Sequence, residues 1–116
     1  MNPPRIDSYR FGEIIIDGQV YGKDLIIFPH GVTPDWWRAE SHSLSTADLE
    51  AVVAAPPEVL VVGQGAYGRM NVPEKTRQAL KAAGVEVLAQ RTSDACQSYN
   101  QLLGEKEVVA ALHLTC

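Results

Sequence analysis

The chain has 116 residues, 46% hydrophobic and 21% charged, the size and balance of one globular domain spanning residues 1–116. Ten basic against fourteen acidic side chains leave a net charge of −4, and no Lys/Arg cluster is present that would neutralise successive phosphates, so nucleic acid is excluded as an expected partner. No apolar run approaches the ~20 residues of a membrane-spanning helix, and Met1-Asn2-Pro3-Pro4-Arg5 lacks a signal-peptide pattern, so a soluble cytoplasmic protein is expected.

Pro3 and Pro4 hold the start extended, and residues 6–11 enter a sheet edge on a weak apolar pattern. A hairpin follows: Glu13-Ile14-Ile15-Ile16, then Asp17-Gly18, then Gln19-Val20-Tyr21, because Asp-Gly supplies the positive φ angles of a type I′ turn. Leu25-Ile26-Ile27-Phe28 is apolar at every position, which predicts a strand covered on both faces and ended by Pro29. Between His30 and His42 the periodicity disappears, and the adjacent Trp36 and Trp37 must point to opposite faces of an extended segment. A helix start is marked by Ser45 as N-cap, Asp48 as its reciprocal cap and Leu44 stapled to Leu49. That helix stops before Pro56-Pro57.

Val59-Leu60-Val61-Val62 reads as a buried strand feeding the glycine-rich turn Gly63-Gln64-Gly65-Ala66-Tyr67-Gly68. Pro73 then opens a helix with Thr76, Ala79, Leu80 and Ala83 inward, and Gly84 ends it in a left-handed conformation. Residues 85–89 form a strand, Thr92 caps a helix reaching about Leu103, and residues 108–112 form the closing strand. Alternating strands and helices predict an α/β fold: a central mixed, largely parallel sheet with crossover helices, plus an N-terminal β-hairpin layer.

Phe11-Gly12, Asp24-Leu25, Trp37-Arg38 with His42 and Leu44, Gly63-Gln64-Gly65, Thr92, Ala95-Cys96, Tyr99-Asn100 and Leu102 follow one another in an order that resembles a known family. It is the small single-domain family of adipogenesis-associated proteins and mitochondrial complex I assembly factor three, whose bacterial members are mostly uncharacterised. The likeness runs from about Tyr9 to His113. It implies three layers, with helices on one side of the sheet and an extra β-element on the other. It implies no catalytic residue, and it suggests protein binding as the working mode, as in an assembly factor. This chain has Glu105-Lys106-Glu107 where many members carry a Gly-Arg pair, which puts any binding role of that arginine in doubt.

Two functional readings remain open. The first is a non-enzymatic interaction module, with Trp36, Trp37 and Arg38 as its surface, since tryptophan is enriched at binding hot spots. Core packing of both tryptophans competes with it. The second is a small-molecule or anion pocket, with or without catalysis, where Gly63, Gln64 and Gly65 meet the helix begun by Thr92, with Cys96 and His42 as further candidates. The loop spells GxGxxG, but no helix follows at once and no acidic residue marks the tip of the next strand, so a tight turn competes with a nucleotide cradle. Cys96 packs as a small buried thiol unless a histidine activates it. His42 orients a ligand or bonds the backbone at the helix start.

The two cysteines, Cys96 and Cys116, form no CxxC, and His113 with Cys116 falls short of the ligand count of a zinc site. No metal and no cofactor is expected. A protein partner is expected, and self-association is left open.

Overall fold

The structure, a computed structural model, describes residues 2–116. Eight strands, one 3-10 turn and three helices follow one another. Strands β1 (Ile6–Arg10), β2 (Glu13–Ile16) and β3 (Gln19–Tyr21) form an antiparallel three-stranded sheet. Strands β4 (Leu25–Phe28), β5 (Gly31–Thr33), β6 (Val59–Gln64), β7 (Glu86–Gln90) and β8 (Val108–His113) form a mixed sheet in the order β5-β4-β8-β6-β7. The helices are α1 (Glu50–Ala54), preceded by a 3-10 turn at Thr46–Leu49, α2 (Glu74–Ala82) and α3 (Thr92–Leu102). None is long and apolar enough to cross a membrane.

The Asp-Gly hairpin forms as its turn chemistry requires. Ile16 pairs with Gln19, and Asp17 and Gly18 both take positive φ, 47° and 80°. β4 is buried along its whole length, because β8 and β5 flank it and cores lie above and below. β5 escapes a periodicity search: it is three residues long, with Val32 as its one apolar side chain, and it pairs with β4 through the turn at Pro29 and His30. Gly84, at φ 82°, terminates α2 as expected, while its neighbour Val85 donates back to the Leu80 carbonyl at 2.9 Å.

β8–β6 and β6–β7 are parallel, and β5–β4 and β4–β8 are antiparallel. The order of the parallel strands decides where the helices lie. The step from β6 through α2 to β7 moves outward, whereas the step from β7 through α3 to β8 returns past β6. Right-handed crossovers taken in opposite directions leave their helices on opposite faces. α2 therefore covers one face through Leu80, joined there by Leu49 of the 3-10 turn, Val52 of α1 and Val85 of the link to β7, all packed with Ile26, Leu60, Val62 and Ala111. α3 covers the other through Ala95, Cys96 and Tyr99, and it shares that face with Ile6, Ile14 and Ile16 of the small sheet. The one-sided placement of helices implied by the family likeness is corrected in this respect.

Two local expectations also change. Thr92 is the first helical residue of α3 rather than its cap; Arg91 holds the cap position without a side-chain bond. The Thr92 hydroxyl has another task, described below. The segment begun by Ser45 is a 3-10 turn before it becomes α1, with Asp48 Oδ2 accepting from Ser45 N–H at 2.9 Å and Leu44 and Leu49 both buried.

Candidate functional site

The carboxyl ends of β6, β7 and β8 and the amino end of antiparallel β4 meet at one pole of the molecule. Asp24, just ahead of β4, and His113, the last residue of β8, face each other there. Asp24 Oδ2 accepts from His113 Nδ1 at 2.7 Å and from Arg38 at 2.8 Å, while Oδ1 accepts from Leu114 N–H at 2.8 Å. The guanidinium of Arg38 also donates to the Ser41 carbonyl at 3.0 Å. Burial opposes ionisation of Asp24, but the bonds from His113, Leu114 and Arg38 outweigh it and hold the carboxyl below its usual range. His113 Nδ1 also lies 3.1 Å from Arg38 Nη2, but its shorter contact is to the Asp24 carboxylate, which can only accept, and this places the ring proton on Nδ1. His113 Nε2 is buried without a partner, and Arg38 Nε is likewise unpaired. His42 is exposed and approaches the His113 ring edge-on, with centroids 6.0 Å apart.

The glycine-rich turn packs against this cluster. A Cβ on Gly63 would stand 2.9 Å from Thr92 Oγ1 and from Leu112 Cδ2, and one on Gly65 would stand 2.8 Å from His113 Cδ2. The Thr92 hydroxyl ties the layers together, accepting from Gly65 N–H at 2.9 Å and donating to the His113 carbonyl at 2.6 Å. Thr92 N–H donates to Gly65, Ala66 N–H to Thr115 and Gly68 N–H to Gly65. These amides are spent inside the chain. Gln64 is also engaged, its side-chain amide donating to the Met70 carbonyl at 3.0 Å.

Cys96 lies elsewhere, lining a cavity of about 260 Å³ between β1 and α3 together with Tyr9, Ser93 and Asn100. Neither Gln64, Thr92 nor His42 belongs to that wall. Burial pushes the Cys96 thiol up to about 12, so it stays protonated at neutral pH. Among the described residues no group of three or more His, Cys, Asp or Glu is placed to hold a metal ion.

The tryptophans divide. Trp36 turns inward: its Nε1 donates to the Asp48 carbonyl at 3.0 Å, its N–H donates to the Asp24 carbonyl at 2.8 Å, and Arg38 stacks 4.8 Å from its ring centre. Arg38 is buried rather than displayed. Trp37, between these two fixed neighbours, is 78% exposed. Phe11 and Tyr67 are also exposed, 55% and 60%, with ring centres 6.2 Å apart. The sequence marks Asp24 only within the family likeness and His113 only beside Cys116, and it does not pair them. Their shared signal is positional: a polar side chain at the end of an apolar strand.

A mixed sheet covered by helices on both faces, with a small antiparallel sheet beside α3 and a buried polar cluster at one pole, defines a fold that solved structures share. The structure of a conserved hypothetical protein from Pyrococcus horikoshii OT3 superposes with a TM-score of 0.82 at 28% identity, covering 97% of this chain and 99% of that one. A Bordetella parapertussis protein gives 0.83 at 26% identity, with 98% of each chain covered. A Bordetella pertussis protein described as a Mth938-like domain gives 0.76 at 27% identity, covering 96% of this chain and 85% of that one. The chain belongs to the family described as protein of unknown function DUF498/DUF598, which matches residues 6–113. The human NADH dehydrogenase [ubiquinone] 1 alpha subcomplex assembly factor 3 is 30% identical over 109 residues, which is 91% of this chain and 58% of that protein. The chain thus spans little more than half of that relative's length.

Proposed function

We propose that this chain is a non-enzymatic interaction module that assists the assembly of another protein. The observation that carries the reading is Trp37, 78% exposed between two residues that are both fixed to the fold. An exposed indole on a mobile loop needs its backbone ordered on binding, whereas the anchored Trp36 and Arg38 on either side already fix the backbone of Trp37, and that lowers the entropic cost of recognition. The human relative's name as an assembly factor points the same way. The pocket reading at Gly63, Gly65 and Thr92 is less favoured, because the amides that would bind an anion there are engaged internally.

The test is affinity capture by the wild-type chain and by Trp37→Ala. Removing a hot-spot tryptophan costs about 2 kcal/mol or more, so partner binding should weaken by at least roughly 30-fold. The melting temperature should stay unchanged, because the side chain contributes little to the core. Equal recovery of partners by the two proteins overturns the proposal.

A further inference from the structure

β7 is the open edge of the five-stranded sheet. Its parallel register sets Glu86 beside Val59 and Gln90 beside Gly63, and Glu86 N–H donates to the Glu58 carbonyl at 3.0 Å. Backbone amides alternate sides along a strand, so Glu86, Leu88 and Gln90 direct theirs to β6, while Val87 and Ala89 direct theirs outward. The side chains of Val87, Leu88 and Ala89 are half-buried.

The other free edges are protected. β5 and β3 are three residues long, and β5 runs into Pro34. On β1, Ile6 gives its N–H to Asn100 Oδ1 at 3.0 Å and takes Asn100 Nδ2 on its carbonyl at 2.8 Å. β7 has no such device: no proline, no bulge and no lysine interrupt it, and its single charge is at one end.

We propose that β7 pairs with β7 of a second copy of this chain, antiparallel about a two-fold axis at Leu88, so that the two sheets become one. In this register Val87 faces Ala89 of the copy, and the two exchange both backbone hydrogen bonds, so every outward amide of either strand is satisfied within the strand's own length. On the α3 face Leu88 meets Leu88, and Glu86 meets Gln90. No like charges oppose one another, so the edge is complementary to itself.

Sedimentation velocity from micromolar to millimolar concentration tests this on the intact chain. Wild type should pass from monomer to dimer within that range. Gln90→Glu keeps an acceptor for Ser98, which donates to Gln90 Oε1 at 2.7 Å, yet sets a carboxylate opposite Glu86 twice per dimer, so the dimer Kd should rise by roughly tenfold. Adding Glu86→Lys to that variant should restore the wild-type Kd. Ala89→Pro removes one outward N–H without breaking the β6 ladder and should leave a folded monomer. A wild type that stays monomeric to millimolar concentration overturns the proposal. So does a dimer whose Kd ignores Gln90→Glu, or one that the added Glu86→Lys fails to restore.

Discussion

At Gly65 a Cβ would meet the Thr115 carbonyl oxygen at 2.7 Å and His113 Cδ2 at 2.8 Å, and the backbone already has φ 96°. Neither obstacle yields easily, since one is main chain and the other a buried ring. Gly65→Ala should therefore destabilise the fold by roughly 2–5 kcal/mol, combining left-handed strain with overpacking; urea denaturation at neutral pH measures it, and a loss below about 1 kcal/mol would contradict the packing. Asp24 supplies a pH-dependent counterpart. Its carboxyl is held below the usual range in the folded state, so the stabilisation it gives is complete above the unfolded value of about 3.9 and is lost as pH falls through the lower folded value. Asp24→Asn leaves Arg38 buried without its carboxylate and should cost roughly 3 kcal/mol at neutral pH. The gap from wild type should narrow as pH falls below about 4, and a gap that widened there would reverse the assigned direction. The partners of Asp24 come from two distant parts of the chain, Arg38 in the loop after β5 and His113-Leu114 at the end of β8, so nothing in the sequence around it announced them.

At the scale of elements, the hairpin, β4, β6 and the glycine stop of α2 were legible because their causes are local: Asp-Gly turn geometry, unbroken apolar runs and one left-handed glycine. Helix α3 shows the limit. Its inward face, Ala95, Cys96 and Tyr99, follows from helical spacing, but Thr92 was expected to cap the helix and instead bonds Gly65, in the turn just past β6, and His113, at the end of neighbouring β8. The same packing makes Cys96 inert. With its thiol raised to about 12, roughly one molecule in 10⁵ carries the thiolate at pH 7. Alkylation of the native protein should modify the more accessible Cys116 and spare Cys96 until the chain unfolds, as peptide mass mapping would show. Rapid native labelling at Cys96 would reopen a nucleophile role for it. In the segment before α1, extended geometry predicted that Trp36 and Trp37 diverge. Which of them faces out was set by Asp48 and Asp24, the acceptors that hold Trp36 in place.

For the molecule as a whole, one sheet separates two cores, and its strand order assigns each helix to a face. The sequence by itself determined the α/β class, the hairpin, the succession of helices and of every strand but β5, and the family likeness, because propensity, periodicity and turn chemistry act over a few residues. Only the tertiary structure decided that α3 crosses to the hairpin's side, that Gly63 and Gly65 serve close packing, and that Asp24, Arg38 and His113 form one buried cluster. It also left Trp37 and the edge of β7 uncovered. These outcomes depend on contacts between residues tens of positions apart, which the direction of a crossover brings together and which no local pattern encodes.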